Sequence, residues 1–204
     1  MDGLLVDSEP LWFEIERQFA AARGGGWTQA HAAACVGKGM AATLATMHEL
    51  FGFAVDLERD RTEIVDRFVA RAREIAPKPG ALELLREAAP RLPLALASSS
   101  PRRLVDAVLS ALDLGRWFEA VVSGETVAHP KPAPDIFVVA AGQLGVPIAR
   151  CAVLEDSLAG ATAGRAAGAF VVAVPEGDAS GRGFEAVADA VVADLVEARR
   201  LLDF

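Results

Sequence analysis

The sequence predicts a doubly wound α/β fold that carries an inserted helical segment, and three observations lead to this prediction. In the second half, short continuous apolar runs alternate with helical stretches, as in parallel strands that are covered on both faces. From residue 8 to about residue 76, the apolar residues show helical periodicity only. Hydrophobic residues make up 52% and charged residues 24% of the 204 residues, which suits a sizeable core and argues against disorder.

The helical segment is predicted to contain three helices. Ser8 is the expected N-cap of the first helix, and Asp56 precedes the third. Because the segment is short for an independent domain, we interpret it as a cap inserted into the α/β core. The predicted division is 1–7 and 80–204 for the core and 8–79 for the cap. The predicted apolar stripes are Leu11, Ile15, Phe19 and Ala22, then Leu44, Met47, His48 and Phe51, and finally Ile64, Phe68 and Ala72.

The second half is predicted to contain four strands that are separated by helices. The apolar runs cover residues 92–97, 118–122, 151–154 and 170–174, and the predicted helices cover 101–112, 135–144 and 159–167. Ligands of open α/β sheets bind beyond the carboxyl ends of the strands. The residues that follow each apolar run are therefore the first candidates for a functional site.

The composition limits the classes of partner. The net charge is −8 without a long basic run, so neither nucleic acid nor an anionic membrane is an expected partner. No apolar stretch reaches the roughly 18 residues that span a bilayer, and the N-terminus lacks the pattern of a signal peptide. Cys35 and Cys151 are interpreted as buried free thiols. These features predict a soluble, cytoplasmic protein.

Polar residues at three places have both a structural and a chemical interpretation. The serines at 98–100 precede a proline, which suits a helix start, and their hydroxyl and N–H groups also suit a phosphate. Glu155 and Asp156 suit either the N-terminus of a helix or a Mg²⁺ site. Lys131 lies between two prolines, either in a surface turn or aimed at a phosphate. The histidines show no metal-ligand spacing.

Taken in order, these segments resemble the four motifs of the haloacid dehalogenase superfamily. The segments are 1–10 (MDGLLVDSEP), 94–100 (LALASSS), 131–135 (KPAPD) and 154–160 (LEDSLAG). The resemblance covers nearly the whole chain and is greatest to the β-phosphoglucomutase-like subfamily, which has a small helical cap. It implies that the α/β part is the core domain of this superfamily.

The resemblance also implies phosphoryl transfer through an aspartyl phosphate, with Mg²⁺ as cofactor and a small phosphorylated metabolite as substrate. Asp2 matches the residue that protonates the leaving oxygen and later activates water. Ser98 and Lys131 match catalytic residues that contact the phosphoryl group, with Ser99 beside them in the phosphate site. The implied metal ligands are Asp2, through its main-chain carbonyl, together with Glu155 and Asp156.

The first motif of the family reads Asp-x-Asp-Gly, and Met1 occupies position x. The resemblance therefore places the nucleophilic aspartate just upstream of Met1, at the end of an upstream apolar strand. We expect a chain that starts at Met1 to be inactive. We also expect it to be less stable than an extended form, because the strands beside the upstream one lose a partner.

Three functions remain open at this point. The favoured one is a Mg²⁺-dependent phosphatase for a small phosphomonoester, such as a sugar or polyol phosphate. A β-phosphoglucomutase-like sugar phosphomutase is less favoured, because Trp12 stands where the mutases have a histidine and residues 37–40 lack the expected cap arginine. A catalytically inactive protein that binds a phosphorylated ligand is the alternative from another class. Trp12 and Lys38 are the cap candidates for substrate contact, and the oligomeric state is left open.

Overall fold

The computed structural model of the protein describes residues 1–35, 39–176 and 182–203. The chain divides into two compact units. The α/β unit consists of Met1–Asp7 and Ala76–Phe204, and the helical unit consists of Ser8–Ile75. None of the helices in the described ranges is both long and apolar enough to cross a bilayer.

The described part of the helical unit contains four α-helices, one more than the sequence predicts. They are α1 (Glu9–Ala21), α2 (Gln29–Cys35), α3 (Met40–Phe51) and α4 (Leu57–Arg71). Asp56 caps α4, because its carboxylate accepts a hydrogen bond from the main-chain N–H of Arg59 at 3.1 Å. Ser8 stands at the N-cap of α1 without a side-chain cap hydrogen bond, and Pro10 in the first turn favours the helix start there.

Most residues of the predicted stripes form the core of the helical unit. The buried ones are Leu11, Ile15, Phe19, Leu44, Met47, Ile64, Phe68 and Ala72. Ala22 is exposed and is the C-cap residue that follows α1. His48 is also exposed, and its Nδ1 lies 2.8 Å from the carbonyl oxygen of Phe53. The imidazole therefore bonds to the chain that follows α3 and does not enter the core.

The α/β unit has the alternating strands and helices that the sequence predicts. Its strands are β1 (Val6–Asp7), β2 (Ala76–Pro77), β3 (Ala95–Ser98), β4 (Ala120–Ser123), β5 (Ala152–Glu155), β6 (Phe170–Ala173) and β7 (Ala190–Val191). Its helices are α5 (Ala81–Ala88), α6 (Arg102–Ala111), α7 (Asp135–Leu144), α8 (Leu158–Ala167) and α9 (Leu195–Leu202). The prediction of a doubly wound α/β fold is confirmed, while β1, β2, β7, α5 and α9 were not among the predicted elements.

The parallel strands form two hydrogen-bonded groups. β3 pairs with β4, β6 pairs with both β5 and β7, and the short β1 pairs with β2 in the antiparallel sense. The register sets Ser98 opposite Ser123 and Glu155 opposite Ala173. Because paired parallel strands end together, each group presents its carboxyl-terminal residues along one edge.

Helix α7 packs against both groups of strands. Ile136 and Phe137 of α7 share one buried cluster with Val122 of β4 and Val153 of β5. This common core holds the end of β3–β4 and the end of β5–β6 in a fixed relation within the α/β unit. Val139, also in α7, lies outside this core and is 36% exposed. Cys151 is half-buried and not fully buried as expected, while Cys35 is buried, and both thiols are free.

Candidate active site

Lys131 links the two groups of parallel strands. It lies in the loop between β4 and α7, and its Nζ is 3.5 Å from the carbonyl oxygen of Ala97 in β3. The same ammonium forms an ion pair with Glu155 at the end of β5. The two side chains are only 9% and 7% exposed, and Nζ also lies 4.8 Å from the ring centroid of Phe137. Because both charges are largely removed from water, loss of either partner would leave the other charge buried without compensation.

Glu155 is held by α8 as well as by Lys131. The Ser157 hydroxyl donates to Glu155 Oε2 at 3.1 Å and accepts from the Gly160 N–H at 3.1 Å, so it also caps α8. Gly160 is needed for this close approach, because a Cβ at that position would lie 2.0 Å from Glu155 Oε2. The Glu155 carboxylate therefore has a fixed place between the lysine and the start of α8.

Asp156 has a different environment from its neighbour. Its carboxyl group packs against Gly3, where a Cβ would lie 2.3 Å from Asp156 Oδ2. Gly3 has φ +71, a conformation that glycine adopts without strain. Burial raises the pKa of Asp156 to about 6, and the negative charge of Glu155 adds to the increase. The loop at Asp2–Gly3 and the residues after β5 are thus neighbours.

The loop after β3 reaches Asp2 as well. The Ser100 hydroxyl donates a hydrogen bond to Asp2 Oδ2 at 2.7 Å. Ser98 is buried, and its hydroxyl accepts a hydrogen bond from the Ser100 N–H at 3.2 Å. Ser99 is exposed, and its backbone lies so close to Gly124 that a Cβ there would be 3.1 Å from the Ser99 Cα. The structure therefore brings the first and second sequence segments together through Ser100, which the sequence predicted as part of a helix start or a phosphate site and not as a partner of Asp2.

The acidic residues of this site offer oxygen donors but no complete ligand cluster. Among the described residues, no group of three or more histidine, cysteine, aspartate or glutamate side chains is arranged to hold a metal ion. Asp156 is nevertheless a carboxyl group with an unfavourable site for its negative charge, as its raised pKa shows. Carboxylate and carbonyl oxygens are the donors that Mg²⁺ prefers, and Mg²⁺ keeps several waters. The donor chemistry at Asp156 and the Asp2 loop therefore fits this cation.

Of the two cap candidates, the structure describes Trp12. The Trp12 ring packs within the helical unit against Phe68 of α4, with 4.2 Å between ring centroids. Trp12 thus takes part in packing, and its contact with a substrate stays a prediction. Lys38 lies outside the described residues.

Comparison with known proteins identifies the family. Residues 1–168 match the family model of haloacid dehalogenase-like hydrolases. The chain belongs to this family. It is 30% identical to hexitol phosphatase B of Escherichia coli K12, over 97% of the chain and 90% of that protein. It is 32% identical to a phosphorylated carbohydrates phosphatase of Thermotoga maritima, over 82% of the chain and 79% of that protein.

A solved structure shows the same fold. The chain superposes on a β-phosphoglucomutase-like protein of Thermotoga maritima with a TM-score of 0.82 and 30% identity. The match covers 99% of this chain and 95% of that one. The family resemblance that was inferred from the four sequence segments is therefore confirmed.

Proposed function

We propose that this haloacid dehalogenase-like hydrolase is a Mg²⁺-dependent phosphatase that acts on a small sugar or polyol phosphate. The contact of Lys131 with both Ala97 and Glu155 carries the proposal, because it puts a buried cation where β3 and β5 end. The names of the Escherichia coli and Thermotoga maritima relatives support the choice of a phosphorylated carbohydrate.

Each polar residue of the site has a role in this reaction. Asp2 gives its proton to the leaving oxygen in the first step and takes a proton from the attacking water in the second. Ser98 and Ser99 lie at the start of the loop that would bind the phosphoryl oxygens, through hydroxyl or N–H groups. Lys131 stabilises the negative charge that develops on those oxygens. The phosphoryl group is transferred first to the aspartate that the family has at the first position of its Asp-x-Asp-Gly motif, and then to water.

The magnesium ion would be held by Asp156 and the main-chain carbonyl of Asp2. Glu155, beside them, adds negative charge while it keeps Lys131 in place. When bound, Mg²⁺ would neutralise charge on the phosphoryl oxygens during the displacement.

A substrate panel tests the proposed function. Phosphate release is measured with hexose and hexitol phosphates, with and without Mg²⁺, on the protein as its gene encodes it. We expect turnover that requires Mg²⁺ and is lost with excess chelator. Turnover that persists in excess chelator would contradict the proposal.

The same panel separates the two alternatives. A sugar phosphomutase would convert one hexose phosphate into its isomer without releasing phosphate, which a coupled dehydrogenase assay detects. An inactive binding protein would bind a phosphorylated sugar in calorimetry and turn over none of the panel. The occupation of the mutase histidine position by Trp12 favours the phosphatase.

A further inference from the structure

We infer that Ser100 is a positioning residue that orients the carboxyl group of Asp2 for proton transfer to the leaving group. The inference rests on the proposed phosphatase function and assigns a role to Ser100, which lies in the second family-like segment but has been given no catalytic role of its own above. It starts from the 2.7 Å hydrogen bond between the Ser100 hydroxyl and Asp2 Oδ2.

The main chain of Ser100 is fixed on both sides. Its N–H donates to the Ser98 hydroxyl at 3.2 Å, and its carbonyl oxygen accepts from the Ser123 hydroxyl at 2.8 Å. Ser98 and Ser123 are the paired last residues of β3 and β4, and they are 3% and 0% exposed. A residue that is tied to two buried strand ends has little freedom to move.

The end of β4 is itself braced. The Ser123 hydroxyl accepts from the Glu125 N–H at 3.3 Å, and the Thr126 hydroxyl donates to the Ser123 carbonyl oxygen at 2.8 Å. Gly124 approaches the Ser99 backbone so closely that a Cβ at position 124 would lie 3.1 Å from the Ser99 Cα, tighter than an ordinary van der Waals contact. A chain of hydrogen bonds therefore connects the ends of β3 and β4, through Ser100, to the Asp2 carboxylate.

This arrangement matters most when the leaving group needs a proton. A fixed hydrogen bond to Oδ2 sets the plane of the Asp2 carboxyl group and hence the direction in which it delivers a proton. A sugar or polyol alkoxide is a poor leaving group and depends on that proton. The p-nitrophenolate ion is a good leaving group and departs without it. If the Asp2 carboxyl group loses its orientation, hydrolysis of a sugar or polyol phosphate should therefore slow more than hydrolysis of p-nitrophenyl phosphate.

The test measures kcat/KM for a hexitol phosphate and for p-nitrophenyl phosphate. The value of kcat/KM is used because it reports the first phosphoryl transfer. In Ser100→Ala, we expect kcat/KM for the hexitol phosphate to fall by about 10- to 100-fold, within the range of acid–base contributions. The value for p-nitrophenyl phosphate should change by less than about threefold, since proton donation contributes little there. Ser100→Thr keeps the hydroxyl and should retain the wild-type ratio of the two substrates.

The control is Ser110→Ala, an exposed serine in α6 of the same unit, which should change neither value. Equal losses for both esters in Ser100→Ala would overturn the role of Ser100 while leaving the phosphatase intact. A wild-type protein that hydrolyses neither ester would overturn the proposed function and this inference with it. If Ser100→Ala unfolds at a lower temperature, Ser100→Thr decides: an altered substrate ratio there would contradict the inference.

Discussion

Glu16 of α1 makes the stability of the helical unit depend on pH. The residue is 8% exposed, and its Oε2 accepts a hydrogen bond from the Trp27 indole N–H at 2.9 Å. Burial raises the pKa of Glu16 to about 7, the hydrogen bond from Trp27 opposes this in part, and the charge of Glu9 adds to it. A carboxyl group in this environment is more stable when it carries its proton.

The size of the effect follows from linkage. The ordinary pKa of a glutamate is 4.5, and the folded value is about 7, so the folded state holds the proton more tightly than the unfolded state. The contribution of protonated Glu16 to the stability of the folded state is complete below pH 4.5 and is lost as the pH rises through 7. At about 1.4 kcal/mol for each pKa unit, the full loss corresponds to about 3 kcal/mol.

Glu16→Gln tests this value. Glutamine has nearly the same shape, and its amide oxygen can still accept from Trp27, but it carries no charge at any pH. We expect the variant and the wild type to have similar free energies of unfolding at pH 4.5, and the variant to be more stable by about 3 kcal/mol at pH 8. Urea unfolding followed by tryptophan fluorescence between these pH values measures the difference.

Glu49→Gln is the matched control, because Glu49 is an exposed glutamate on α3 of the same unit. Its stability curve should run parallel to that of the wild type across the whole pH range. If the curve of Glu16→Gln also runs parallel to the wild type, the burial of an uncompensated charge at Glu16 is refuted.

Three further predictions concern the candidate active site. Lys131→Met should lower the free energy of unfolding by about 3–5 kcal/mol, because it leaves the Glu155 carboxylate buried without a counter-charge. Adding Glu155→Gln to it should restore most of that stability in urea unfolding without restoring phosphatase activity. Gly160→Ala should destabilise the fold in thermal unfolding, because its Cβ would meet Glu155, whereas Gly142→Ala, where a Cβ meets nothing within 4 Å, should be neutral or stabilising. Asp156→Asn should weaken Mg²⁺ binding by about tenfold or more, as measured by calorimetry. If Glu155→Gln weakens Mg²⁺ binding more than Asp156→Asn does, the assignment of Asp156 as the ligand is contradicted.

Strands β3, β4, β5 and β6 could be predicted because each has four residues that lie mostly within a continuous apolar run, which is typical of a strand covered on both faces. The paired segments at Val6–Asp7 and Ala76–Pro77, and the strand at Ala190–Val191, have two residues each. Two residues are too few to show any periodicity. These strands exist only because distant parts of the chain supply their hydrogen-bond partners, and local sequence carries no signal of that.

The same limit applies to the site. Asp2, Lys131 and Asp156 could be proposed from the sequence, because they stand in segments that resemble family motifs. The link between Ser100 and Asp2 joins residues 98 positions apart, and the closeness of Gly160 to Glu155 depends on how α8 begins. Ser100 is the last of three polar residues at the end of β3 and just after it, and this pattern could not distinguish a helix start or a phosphate site from a contact with Asp2.

The adjacent acids Glu155 and Asp156 show how one short segment can supply two different functions. Successive residues along an extended chain project to opposite sides, so the two carboxyl groups enter different surroundings. Glu155 meets Lys131 and Ser157, which supply a counter-charge and a hydrogen bond. Asp156 meets Gly3, and its raised pKa shows that its ionised form is not fully compensated there. A divalent cation would therefore be stabilised more by Asp156 than by Glu155, whose charge already serves to hold the lysine.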